Sequence, residues 1–127
     1  AGDPARVGRA QQGDHAGAVA YISAMAKKHY WEEAMLLNAV SWTIVDEFPE
    51  DKRDLRLATE WGERAATLTN WKDASVLDTV AHCYFLSGQI EKAIETEKKA
   101  IAMADDPEMK AEFERILKEW ESQKSGG

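Results

Sequence analysis

The chain is poor in the features that stabilise or target a small protein by a short route. Of its 127 residues only one is cysteine, Cys83, which excludes an intrachain disulfide framework. It has three prolines, none between Pro49 and Pro107, and that stretch contains only two glycines, Gly62 and Gly88. Breakers this sparse do not suit a sandwich or barrel of many short strands. No apolar run approaches the ~18 residues that a membrane span requires. Positive charge is also scarce, with 16 Lys+Arg against 23 Asp+Glu and a net charge of -7. That balance argues against a dedicated nucleic-acid or anionic-membrane binder. The first residue is Ala1, and no charged-then-apolar leader precedes the body of the chain. The sequence therefore reads as a processed product or a piece of something longer.

What the chain has in quantity is alanine, 20 residues, against six each of Val, Ile and Thr. Alanine is the best helix former and β-branched residues lose side-chain freedom in a helix, so the composition predicts an all-α protein. The apolar spacing predicts one helix over Asp14–Met25, with Ala18, Tyr21, Ile22 and Met25 on one face. A second runs from about Tyr30 to Val45 through Ala34, Leu37, Val40, Ser41 and Ile44. The acidic stretch Asp46–Asp54, broken by Pro49, reads as a surface loop. The next helix carries Leu55, Ala58, Trp61, Ala65 and Leu68, with Asp51 or Asp54 as N-cap. After a short turn, Asp73 caps a helix with Val76, Leu77, Val80, Ala81 and Tyr84, which ends at Gly88 as a left-handed C′ residue. Ile90, Ala93, Ile94, Glu97, Ala100 and Ile101 mark the following helix. Asp106-Pro107 restarts the chain into a last helix with Met109, Phe113, Ile116, Leu117 and Trp120. Asp3–Gln12 is a weaker helical segment, and residues 123–127 read as a flexible tail.

The spacings repeat. Ala18 to Leu37 is 19 residues and Ala58 to Leu77 is also 19; Leu37 to Ala58 is 21, but Leu77 to Ala93 is only 16. The five extra residues lie in the Asp46–Asp54 loop, and without them the period is 35, close to the 34 of a tetratricopeptide repeat. The unit from Ala74 to Pro107 resembles the tetratricopeptide signature at Leu77, Ala81, Tyr84, Gly88, Ala93 and Ala100. The resemblance covers roughly residues 14–122. It implies antiparallel helix pairs in a right-handed superhelical array of about two and a half repeats (3–28, 31–69 and 73–106), with a capping helix over 107–122. The strings L-N-A-V-S-W, F-P-E-D-K-R-D-L and K-D-A-S-V-L-D-T-V-A also resemble the repeat tails that follow thioredoxin-like domains in bacterial cell-envelope proteins. That narrower resemblance implies an exported, periplasmic or envelope segment; the chain contains no C-x-x-C of its own.

The resemblance places a ligand groove on the first helix of each pair. Its positions map onto Met35, Asn38, Trp42, Val45 and Asp46, and then onto Ser75, Asp78, His82, Phe85 and Leu86. Aromatic anchors among short polar groups suit a peptide or partner helix. None of the ten positions is Lys or Arg, and Asp46 and Asp78 would repel an anionic tail, so a basic or apolar protein partner is expected. Asp78, His82 and Cys83 are metal-capable types, but Cys83 points about 100° away from His82 on a helix, so no metal site and no cofactor is expected. No nucleophile, base and orienting group occur together, which points to a non-catalytic interaction module. The rival reading is a structural subunit or homo-oligomer docked through an incomplete first repeat. Glu60–Arg64, Glu95–Lys99 and Glu114–Lys118 are expected surface pairs at i, i+4. Trp31 and Trp71, at helix starts, are expected either to lid the core or to anchor a neighbour.

Overall fold

The computed structural model describes residues 15–126. It contains five α-helices and no strand among those residues: α1 (His15–Asp46), α2 (Leu55–Leu68), α3 (Ala74–Leu86), α4 (Ile90–Met103) and α5 (Pro107–Gly126), with a short 3-10 turn at Glu50–Lys52 between α1 and α2. The weak segment Asp3–Gln12 lies outside the described residues. The chain divides into two compact units, Ala1–Glu32 and Glu33–Gly127.

The first correction concerns α1. The pattern predicts two helices separated near Ala26–His29, whereas the chain is helical without interruption over His15–Asp46. No glycine or proline lies between Gly17 and Pro49, and Ala26, Lys27 and Lys28 are good helix formers, so nothing breaks the backbone there. In the first unit the expected buried stripe is exposed instead, at Ile22 and Met25, and Val19, Tyr30 and Trp31 are exposed as well. Trp31 therefore does not lid a core.

In the second unit the helix starts follow their caps. Asp54, not Asp51, caps α2, its Oδ1 accepting from the Leu57 N–H at 3.0 Å. Asp73 caps α3 through the Val76 N–H at 3.1 Å. Each satisfies one of the donors that a helix start leaves open. Asp106 accepts from Glu108 at 3.2 Å where α5 begins at Pro107. Gly88 follows α3 with φ +86°, the left-handed geometry anticipated for it. Asn70 and Trp71 after α2 also take left-handed backbone, φ 58° and 56°, with the Trp71 N–H donating to Ala66 O at 2.7 Å. The Trp71 ring is half-buried against the core. Residues 123 and 124 continue α5, and Lys124 Nζ reaches Glu91 at 3.3 Å.

Consecutive helices pack in chain order, α2 on α3, α3 on α4 and α4 on α5. Ala81, Ala93 and Ala100 are fully buried, the small residues that let neighbouring helices approach. Val76, Val80, Tyr84, Ile94, Ile116 and Trp120 belong to one core cluster; Ile44, Val45, Ala58 and Cys83 form another. Ser41, fully buried on α1, donates to Ala58 O of α2 at 2.7 Å and lies 3.5 Å from Cys83 Sγ of α3, joining three helices. The surface pairs differ from expectation: Arg64 meets Glu33 at 3.6 Å and Glu60 meets Arg56 at 3.5 Å.

Candidate functional site

Three helices contribute to one row of rings. Trp42 of α1 meets His82 of α3 in a T-shaped contact with centroids 5.0 Å apart. His82 meets Trp120 of α5, also edge to face at 5.0 Å, and Phe85 stacks on Trp120 at 4.7 Å and 10°. His82 and Phe85 are three residues apart on α3, so helical periodicity places them on one face. Such offset and edge-on pairs are favoured geometries for rings carrying a quadrupole.

His82 is fixed from below by its own helix. Its Nδ1 lies 2.8 Å from the Asp78 carbonyl oxygen and 3.3 Å from Asp78 Oδ1. The ring N–H thus faces both the carbonyl and the carboxylate of Asp78. Burial on its own lowers the imidazole pKa; the hydrogen bonding and charge of Asp78 and the charge of Asp46 outweigh it, and the net value lies above 6.5. Glu112 of α5 adds a further acid near His82 and is itself held below the ordinary carboxylate range, chiefly by its hydrogen bond from Arg115. Arg115 Nη2 reaches Glu112 at 2.6 Å.

Beneath the row lies a buried carboxyl. Glu97 of α4 has no solvent exposure, and neither of its oxygens has a partner when both it and Asp78 are treated as carboxylates. Two carboxylates can only accept; a proton on one turns it into a donor to the other. Desolvation, then the Asp78 charge, then hydrogen bonding to Asp78 raise the Glu97 pKa far above the usual carboxylate range. Glu97 therefore holds a proton at neutral pH and can share it with Asp78. Asn38 Oδ1 is buried with no hydrogen-bond partner among the described residues.

The ten positions drawn from the sequence separate into groups. Trp42, His82 and Phe85 join the row, Asp78 supports it, and Asp46 acts on His82 from α1. Asn38 lies one turn before Trp42 on the same helix. Met35 and Phe85 are half-buried against the same core cluster, and Leu86 is exposed. Ser75 lies elsewhere, in a shallow hollow with Met103, Asp105 and Met109. Val45 is corrected: it is 5% exposed and packs with Ile44, Ala58 and Cys83, so it presents no surface to a ligand. Its neighbour Asp46 is the exposed residue at that end of α1.

Three residues of the arrangement were not read as functional from the sequence. Trp120 counts there as core, and at 4% exposure it is core, but its ring also forms the floor under His82 and Phe85. Glu97 carries a usable signal, an acid at a stripe position between Ile94 and Ala100. Glu112 carries none, since it sits among the acidic outer residues of α5.

Cys83 does not share the His82 environment. Its thiol is buried on the side of Ser41, and burial pushes its pKa upward. No group of three or more His, Cys, Asp or Glu is placed to hold a metal ion among the described residues. No helix among them is long and apolar enough to cross a membrane. No protein-family model matches the chain, no curated protein matches it, and no solved structure matches it.

Proposed function

We propose that the chain is a tetratricopeptide-like helical array acting as a non-catalytic protein-interaction module, which takes a peptide or partner helix along the face bearing Trp42, His82 and Phe85. The observation that carries this reading is the ring row itself. Residues from α1, α3 and α5, far apart in sequence, meet edge to face while Trp42, His82 and Phe85 keep part of their surface in water. Rigid aromatic surface beside short polar groups is the composition of interaction hot spots. Asp46 and Asp78 make a basic or apolar ligand the better electrostatic match. Membership in an exported envelope protein is the compartment this reading favours, on the three short strings of resemblance.

The test begins with peptides selected from a random display library against the chain. They are expected to shift the amide and indole signals of Asn38, Trp42, His82 and Phe85. Trp42→Ala is expected to weaken binding with helicity by circular dichroism nearly unchanged. Collapse of helicity in Trp42→Ala would move Trp42 to the core, and selected peptides mapping to other faces would overturn the reading.

The exposed face of α1 supports a second reading, a structural subunit that docks through this helix. Val19, Ile22, Met25 and Trp31 are each more than half exposed. Sedimentation as a concentration-independent monomer would remove it.

A further inference from the structure

We infer that the hollow between α4 and the Trp71 turn is a second binding site, which takes the carboxylate side chains of an acidic segment of a partner protein against Lys92 and Lys99. The site stands apart from the ring row and does not depend on it.

The first support is an open cavity. Trp71, Tyr84, Lys92, Glu95, Thr96 and Lys99 line a space of about 210 Å³. Small-molecule pockets hold roughly 300–1,000 Å³, so this one suits side chains of a partner rather than a whole metabolite. Lys92, Glu95 and Lys99 are exposed and Trp71 and Thr96 half-buried, so the space is reachable from solvent. Tyr84 lies two residues from His82, about 200° around α3, which turns the hollow away from the ring row.

The second support is charge. In a chain of net charge -7, neither Lys92 nor Lys99 makes an ion pair among the described residues. The i, i+4 pair expected between Glu95 and Lys99 does not form. Lys92 Nζ lies instead 4.4 Å from the centroid of the Tyr84 ring, and Lys99 Nζ 5.8 Å from that of Trp71. A cation over an aromatic face is held by the ring quadrupole and keeps its outer side for an incoming anion. Two acids stand near. Glu63 is engaged by the Tyr84 hydroxyl, which donates to it at 2.6 Å. Glu95 sits at the rim and sets a like charge against a dense polyanion. Separate carboxylates, one to each lysine, fit this pattern.

The third support is preorganisation. Trp71 holds left-handed backbone at φ 56°, pinned by its N–H bond to Ala66 O at 2.7 Å, and its ring packs on the core. The wall under Lys99 is therefore fixed. Rings that restrain both ammonium groups before a ligand arrives reduce the ordering cost of binding. Lys92 and Lys99 are seven residues apart on α4, about 10.5 Å along its axis. About three residues of an extended segment span the same distance.

The experiment titrates the isotope-labelled full chain with three probes: the peptide acetyl-Glu-Ala-Ala-Glu-amide, its glutamine counterpart acetyl-Gln-Ala-Ala-Gln-amide, and inorganic phosphate. The acidic peptide is expected to shift the Trp71 indole N–H and the side-chain signals of Lys92 and Lys99 saturably, and to bind less tightly as salt is raised. The glutamine peptide is expected to bind at least about tenfold more weakly. Lys92→Gln and Lys99→Gln, both at exposed positions, are each expected to weaken the acidic peptide severalfold with helicity unchanged, and Lys99→Arg to retain it. Equal binding of the two peptides, unweakened binding by both glutamine variants, or shifts spread over lysines elsewhere on the chain would each overturn the inference. Phosphate binding as tightly as the acidic peptide would reduce the hollow to a general small-anion site and overturn it too. The Trp42 indole is expected to stay still, and an acidic peptide that moved Trp42 and not Trp71 would place its binding at the ring row instead.

Discussion

His82 stands between two indoles, Trp42 and Trp120, each edge to face with ring centroids 5.0 Å away. Protonation of the imidazole places a cation against both, and imidazolium quenches neighbouring indole emission. Burial opposes that charge, but Asp78 and Asp46 overcome it and the titration lies above 6.5. Tryptophan fluorescence is therefore expected to fall on acidification with a midpoint above 6.5. His82→Gln is expected to abolish the step. A midpoint below 6.5 would show that burial outweighs the carboxylates.

The same groups fix how stability depends on pH. The folded pKa of His82 is raised, so its contribution is complete below 6.5 and is lost as pH rises through the folded value. Glu97 is raised from 4.5 far into the basic range: above pH 4.5 the unfolded chain ionises while the folded chain keeps its proton, so stability falls as pH climbs. Both groups act in one direction. Urea unfolding midpoints are expected to decline from pH 5.5 to pH 8.5, and the decline is expected to flatten in the double variant His82→Gln, Glu97→Gln. A midpoint that rises across this range would contradict both assignments.

Glu97 also marks a sensitive point of the interior. It fills a place on α4 between Ile94 and Ala100 with a wholly buried acid whose proton is shared with Asp78. Removing one partner of a buried hydrogen bond costs about 1–3 kcal/mol. Glu97→Leu is expected to lower unfolding free energy by about 1–3 kcal/mol at pH 7.5 because Asp78 loses that proton, whereas Glu97→Gln keeps a donor and is expected to cost less. A Glu97→Leu protein of unchanged or raised stability would show that no proton is shared.

Local chemistry explains why much of this fold is readable from sequence. Asp54, Asp73, Gly88 and Asp106-Pro107 act within a turn or two of themselves, so their caps and stops follow from neighbouring residues alone. Two apolar stripes predict two helices where α1 is continuous, because Ala26–His29 contains no breaker and the stripe changes face without a break in the backbone. Within the candidate site, Trp42, His82 and Phe85 follow from the tetratricopeptide resemblance, which implies groove positions for them. Trp120 and Glu112 were not, because their roles arise from how α5 lies against α3, which no residue of α5 encodes by itself. Val45 shows the same limit in reverse: the resemblance implies a groove position for it, and packing with Ile44, Ala58 and Cys83 buries it.

Gly62 lies where α2 packs closely on α1 and α3. A Cβ there would meet Ser41 Oγ and Val80 Cγ2 at 3.3 Å and Cys83 Sγ at 3.9 Å. Ser41 cannot readily move, since its hydroxyl holds Ala58 O at 2.7 Å. Alanine improves helix propensity by about 1 kcal/mol over glycine, which offsets the crowding of a single methyl. Gly62→Ala is therefore expected to change stability by less than about 1 kcal/mol, whereas Gly62→Leu is expected to cost about 3 kcal/mol through overpacking. Denaturant midpoints would separate the two, and an unharmed Gly62→Leu protein would show that α2 can move off α1 and α3.

Gly88 gives the opposite case, a glycine demanded by backbone and not by space. Its φ is +86°, and a Cβ there would meet nothing within 4 Å. The turn is anchored on both sides, with the Gly88 N–H donating to Phe85 O at 3.0 Å and the Gln89 N–H to Tyr84 O at 2.9 Å, so the conformation cannot relax without breaking the end of α3. An L-residue in left-handed backbone pays roughly 1–2 kcal/mol. Gly88→Ala is expected to lose about 1 kcal/mol, with Gly88→Asn losing less because asparagine tolerates this region. If the cost arose from crowding, asparagine, the larger side chain, would be the worse of the two, so the order of the two unfolding midpoints decides between the explanations.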